Sequence, residues 1–384
     1  MSQDAPAADL ANWRTSPFNR WAFRNVAALM PTAAIPAGSG PVMPLPEAPA
    51  ALDGFAVADA DGSSLDLAGF LDATSSDGLV ILQDGKIVHE AYTNGLEAHT
   101  PHILMSATKA ITGVIAGIAR GLGKLDVDAL VSDYVPEIAG GPYAGASVRH
   151  LLDMRTGVRL NEDQQAAYDA ATNWEPAGPA RSDLHAFYAG LGGPPATAHG
   201  GHFRYISANT DLLGWVIERA TGQAFADLVS EQLWKPLGAE DPALITTDSR
   251  GAPRSTGGLA TTVRDLARLG QLVLDRGSRD GIQVIAADWI ADIETGGDHE
   301  AWAHGEWGKA FAFIGKSLRY RAGWYIVDDD PAHLFAMGIH GQNLFVDRTH
   351  RLVVAKLSSQ ASPIDDRALP LTHRGFSEIR RLLA

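Results

Sequence analysis

Cysteine is absent from the 384 residues, which excludes disulfide bridges, thiolate metal sites and a cysteine nucleophile and leaves the redox compartment open. Basic residues are scarce beside acidic ones: 31 Lys and Arg against 45 Asp and Glu give a net charge of −14. A chain of that sign repels phosphate backbones and anionic lipid, so neither nucleic acid nor a membrane is expected as a partner. No apolar run approaches the ~20 residues of a membrane-spanning helix. The opening Met1-Ser2-Gln3-Asp4-Ala5-Pro6 has neither the basic residues nor the apolar stretch of a secretory leader, so the expected compartment is the cytoplasm. Two catalytic signatures are also missing. No Gly-x-Ser-x-Gly occurs, which removes the nucleophile elbow of α/β-hydrolases. His299-Glu300-Ala301-Trp302-Ala303-His304 looks like a zinc-protease helix, but its histidines are five residues apart and cannot share a face. His199-Gly200-Gly201-His202 reads as a glycine-rich lid. Neither a metal nor another cofactor is expected.

What the chain does have is Leu104-Met105-Ser106-Ala107-Thr108-Lys109 running into Ala110 to Gly121. Apolar residues at 111, 114, 115 and 118 recur at helical spacing, and Gly121 and Gly123 are natural stops, so a buried helix is expected here. Ser106 then lies at its first turn, with Lys109 three residues on and on the same face. A serine near a helix start is most often a cap. Here, however, the helix is nearly all Ala, Ile, Val and Gly, and a lysine held in such surroundings loses affinity for its proton. A hydroxyl beside a desolvated amine is a nucleophile beside its base.

Hydrophobic residues make up 46% of the chain, enough for one large α/β domain with an insertion. Residues 1–55 are rich in Pro and Ala, with Trp13, Phe18, Trp21 and Phe23 among them. Exposing four aromatics would be costly, so an arm laid over the domain is expected. Asp84-Gly85 between two β-rich runs predicts a hairpin. Strand patterns then recur only near the C-terminus, at 333–339, 343–346 and 351–357. The fold read from this is an antiparallel sheet with flanking helices, its α/β part spanning about 56–125 and 250–384, with a helical part inserted at about 126–249. The stretch 157–204 reads as loop lining a cleft. Tyr205 precedes a helix at the edge of the helical part, where a phenol can enter that cleft. Gly338-Ile339-His340-Gly341 ends a strand with room for a backbone N–H to approach a ligand.

Ser106-Ala107-Thr108-Lys109, Tyr205-Ile206-Ser207 and Gly338-Ile339-His340-Gly341, in that order, resemble the three motifs of the serine β-lactamase and penicillin-binding-protein superfamily. Within it the chain is most similar to the 6-aminohexanoate-dimer (nylon-oligomer) hydrolases and related β-lactamase-like carboxylesterases. That likeness also rests on Asn19-Arg20-Trp21-Ala22-Phe23, Tyr134-Val135-Pro136-Glu137, Arg264-Asp265-Leu266-Ala267-Arg268 and Lys356-Leu357-Ser358-Ser359. The resemblance implies a nucleophilic Ser106, a proton relay of Lys109 and Tyr205, and an oxyanion hole of the Ser106 and Ile339 N–H groups, acting on a small ester or amide in a monomer or homodimer. Gln164, Ser207, Trp324 and His340 are the candidate substrate contacts.

Two departures bear on substrate. Ala336-Met337-Gly338 stands where β-lactamases have Lys-Thr-Gly, removing the cation that would receive a substrate carboxylate. Asn161-Glu162-Asp163 is followed by Gln164, where amide-cutting relatives have a tyrosine able to assist the departing nitrogen. Esters are therefore expected first and amides second. The alternatives are a catalytically silent penicillin-binding-like module, a weak β-lactamase or D-aminopeptidase-type amidase, and a metal-dependent amidase.

Overall fold

The computed structural model describes residues 8–176, 182–315, 317–329 and 332–384. Its strands are β1 (Thr32–Ile35), β2 (Ser76–Gln83), β3 (Lys86–Tyr92), β4 (His102–Ile103), β5 (Ala243–Thr246), β6 (Leu259–Thr261), β7 (Leu318–Arg321), β8 (Trp324–Val327), β9 (His333–Gly338), β10 (Gln342–Asp347) and β11 (Leu352–Ser358), apart from two short two-stranded ribbons. The principal helices are α1 (Thr108–Gly121), α2 (Glu162–Ala171), α3 (Ser207–Thr221), α4 (Val263–Leu274) and α5 (Ala368–Leu383).

Seven strands form one antiparallel sheet in the order β7-β8-β9-β10-β11-β2-β3. The expected hairpin at Asp84-Gly85 joins β2 to β3, and β2 pairs with β11 although nearly 270 residues separate them in the chain. Alternation along each strand divides the side chains between two cores. Val80, Leu82, Trp324, Ile326, Leu344, Val346, Val353 and Ala355 face a core shared with α1, α3 and α4. Their neighbours Leu79, Ile81, Tyr325, Val327, Phe345 and Val354 face an aromatic core under α5. An antiparallel sheet covered on both faces explains why its strands read as continuous apolar runs rather than half-polar ones.

A second antiparallel sheet, in the order β1-β5-β6-β4, has no counterpart in the sequence reading. Its strands are two to four residues long and come from four distant places, below the length at which period-two patterning is visible. It ties residues of the N-terminal arm, through β1, to the segment leading to Ser106, through β4. The arm is anchored by Trp13 and Phe23, both buried. The stretch 157–204 is also more regular than expected, with helices at Glu162–Ala171 and Leu184–Gly190. Each begins at a polar cap, Asn161 or Asp183, that accepts a first-turn N–H. Among the described residues no helix is long and apolar enough to cross a membrane.

Candidate active site

The chain leaves β4 and turns sharply at Met105, whose φ of 47° is a left-handed conformation that costs a residue bearing a β-carbon about 1–3 kcal/mol. Burial of Met105 among Ile103, Trp174 and Ala260 holds it there. Ser106 follows in a single 3₁₀ turn, Met105–Ala107, that runs directly into α1. First-turn N–H groups have no partner inside the helix, so the Ser106 amide is free for a ligand. Across from it β9 ends at Gly338, and Ile339 opens a second 3₁₀ turn. The two turns meet only because residue 338 has no side chain: a β-carbon there would lie 2.4 Å from Leu104 O and 3.0 Å from Ser106 N. The turns that carry the Ser106 and Ile339 amides are thus in close contact.

Lys109 donates from Nζ to Ser106 Oγ at 3.1 Å and to the Thr256 carbonyl at 3.0 Å. Nζ also lies 4.7 Å from the centre of the Tyr205 ring, and Tyr205 and Ser106 line the same pocket. Burial lowers the Lys109 pKa to about 7, with the opposing charges of Asp211 and Arg254 acting in opposite directions on it. Burial raises the Tyr205 phenol above its ordinary value. At neutral pH the amine can therefore accept a proton while the phenol keeps its own. Beneath them Asp211 takes the Thr256 N–H at 3.0 Å and the Tyr168 hydroxyl at 2.6 Å and pairs with Arg254, fixing the loop whose carbonyl holds the lysine.

The structure brings Ser106, Lys109, Tyr205 and Ile339 together and separates the remaining candidates. Ser207 lines the cleft beside Ser106. Gln164 does not line it: its side chain accepts from Asn161 N in a capping box at the start of α2, and the neighbouring Gln165 faces the cleft instead. Trp324 is wholly buried, because alternation along β8 turns it into the core shared with α1. His340 is buried too, with Nδ1 2.7 Å from Gln360 O and its ring edge-on to Phe23. It shapes the turn, with a φ of 62°, and presents nothing to the cleft. Sequence reading missed Trp307, which stacks on Tyr205 at 4.2 Å between centroids, as well as Thr256, Arg254, Ile364 and Leu369. None lies in a motif, and only the fold brings them near Ser106.

A serine with a lysine one helical turn on, a tyrosine from the helical part and an amide from a sheet strand define the serine β-lactamase and penicillin-binding-protein class. The beta-lactamase family model matches residues 67–375, and the chain belongs to that family. It is 34% identical over 366 residues to the 6-aminohexanoate-dimer hydrolase of Paenarthrobacter ureafaciens, covering 92% of this chain and 88% of that one. Over 153 residues, 38% of each chain, it is 32% identical to esterase EstB of Burkholderia gladioli. A solved Bacillus anthracis structure assigned as a 6-aminohexanoate-dimer hydrolase superposes with a TM-score of 0.87 at 26% identity, covering 99% of this chain and 97% of that one. A family VIII carboxylesterase shares the fold, with a TM-score of 0.59 at 18% identity over 81% of this chain and 95% of that one.

Proposed function

We propose that this protein is a serine hydrolase that cleaves small esters, and short linear amides more slowly, through an acyl-enzyme on Ser106. The observation that carries the reading is the hydrogen bond from Lys109, a lysine whose pKa is lowered to about 7, to Ser106 Oγ, with the Tyr205 ring 4.7 Å from the same Nζ and in the same pocket wall as Ser106. Neutral Lys109 takes the Ser106 proton as Oγ bonds to the substrate carbonyl carbon, and the Ser106 and Ile339 amides receive the oxyanion. When the carbon–oxygen bond to the leaving group breaks, Tyr205 gives its proton to the departing oxygen and recovers one from Lys109. Water then adds its hydroxyl to the acyl carbon and returns its proton to Ser106 through the same relay, releasing the acid.

Esters are favoured over amides because Gln164 carries no acidic hydroxyl to give a departing nitrogen a proton, and its side-chain carbonyl is held in the α2 cap. The test is intact-protein mass spectrometry after a fluorophosphonate probe, with short-chain nitrophenyl ester and aminohexanoate dimer turnover measured in parallel. One adduct is expected on the native protein and none on Ser106→Ala, with the ester turned over faster. An adduct that persists in the variant sinks the nucleophile assignment, and faster dimer cleavage sinks the ester preference.

A further inference from the structure

Two spaces meet at Ser106, and their chemistry differs. One, of about 210 Å³, has Tyr205, Trp307, Met337, Ile339, Ile364 and Leu369 in its wall. The other is lined by Arg14, Gln165, Tyr168, Asp169, Glu175 and Arg254. Tyr205 belongs to the wall of the first and not of the second; it also borders a polar space with Arg159, Arg204 and Glu306, but Ser106 is not in that lining, so of the spaces that reach the nucleophile only the apolar one holds Tyr205. That placement matters because an ester splits into fragments with different needs. The acyl fragment stays on Ser106 after the first step, whereas the departing oxygen must collect a proton as its bond to carbon breaks, and so must lie on the side of the group that supplies it.

We propose that the apolar pocket beside Tyr205 is the leaving-group site, and that it selects esters of apolar alcohols over those whose alcohol ends in a carboxylate. The inference rests on the hydrolase reading above and extends it to substrate class. The space of about 210 Å³ admits a short alkyl chain. Ile364 is 55% exposed at its rim, an apolar side chain that an entering alkyl chain would cover. Among the described residues the one charged group in the wall is Asp365, which caps α5 by accepting the Arg367 and Ala368 N–H groups at 3.0 and 2.8 Å. The anion-favouring start of that helix is therefore already taken, and a second carboxylate entering there meets a like charge. The aminohexanoate dimer places such a carboxylate on its leaving half; this pocket does not suit it.

The experiment compares acetate esters of ethanol, butanol, hexanol and 6-hydroxyhexanoate with a second series, ethyl acetate to ethyl hexanoate. Along the alcohol series kcat/KM is expected to rise roughly threefold per methylene, with little change along the acyl series. The carboxylate-terminated ester should fall ~10-fold or more below hexyl acetate, and Asp365→Asn should narrow that gap. Leu369→Trp, which fills the pocket, and Ile364→Asp, at an exposed position that folding tolerates, should both flatten the alcohol series. Each variant is also labelled with the fluorophosphonate. A rise that follows the acyl chain instead, with Ser106 labelling intact, overturns the pocket assignment alone. Absence of labelling on the native protein overturns the hydrolase reading and this proposal with it.

Discussion

At the scale of single residues, two buried lysines show what makes an amine chemically useful. Lys109 and Lys356 both have pKa values lowered to about 7 by burial, and each donates to a serine hydroxyl, Ser106 at 3.1 Å and Ser358 at 2.6 Å. Only Ser106 opens onto a cleft; Ser358 is enclosed with Gln342 in the sheet interior. A depressed pKa is thus not sufficient without access. In the proposed relay the neutral amine is the acting form, so below about pH 7 Lys109 is protonated and cannot accept from Ser106, and activity should rise with pH and level off above it. A pH profile of kcat/KM on a neutral ester checks this: a pH-independent rate between 5 and 9 would remove Lys109 as the base. Lys109→Arg, whose side chain stays charged throughout, should lose ~10²–10⁴-fold in kcat at every pH. Ser106 and Lys109 were legible because their spacing within one helix fixes their relation. Trp324 and His340 were not placed correctly, since proximity to a motif in sequence does not say which face of a strand or turn a side chain takes.

The elements position the reacting groups through close backbone contact more than through side chains. The Ser106 turn and the Ile339 turn touch across Gly338, so Gly338→Ala must push them apart by several tenths of an ångström or more. The expected outcome is a fall of ~10²–10³-fold in kcat with the far-ultraviolet circular dichroism unchanged; a variant with native turnover would show that the two amides do not act together. The same logic joins α1 to the sheet edge, where a β-carbon on Gly113 would sit 1.8 Å from Ala322 O. The buried α1, the β2–β3 hairpin and the last strands were readable because each has a strong local period or turn pair. The four-stranded sheet was not, because pairing among two- to four-residue strands is decided by tertiary contacts alone.

For the whole molecule, the arm is part of the wall of the cleft at Ser106. Trp13 donates to the Trp174 carbonyl at 3.0 Å and meets that ring edge-on, and Trp174 in turn bonds Thr246 in β5 and lines the polar side of the cleft together with Arg14. Removing the ring should therefore affect two quantities at once. Trp13→Ala is expected to cost about 3–5 kcal/mol in denaturant-induced unfolding and to raise KM for esters with bulky acyl groups; native stability in the variant would reduce the arm to an accessory. The antiparallel sheet with inserted helices was legible from strand signals at both ends of the chain, and the family likeness runs through all of it. The cleft's two linings were not, because arm, helical part and C-terminal segment each contribute a few residues that no single stretch reveals.

The stacking of Trp307 on Tyr205 has a practical corollary. The indole lies against the Tyr205 phenol in the wall of the apolar space, where its emission is expected to respond when solvent gives way to carbon. Among nine tryptophans it is the one in the wall of the apolar space, so a change in its emission on adding a long-chain alcohol is the expected optical sign of what enters.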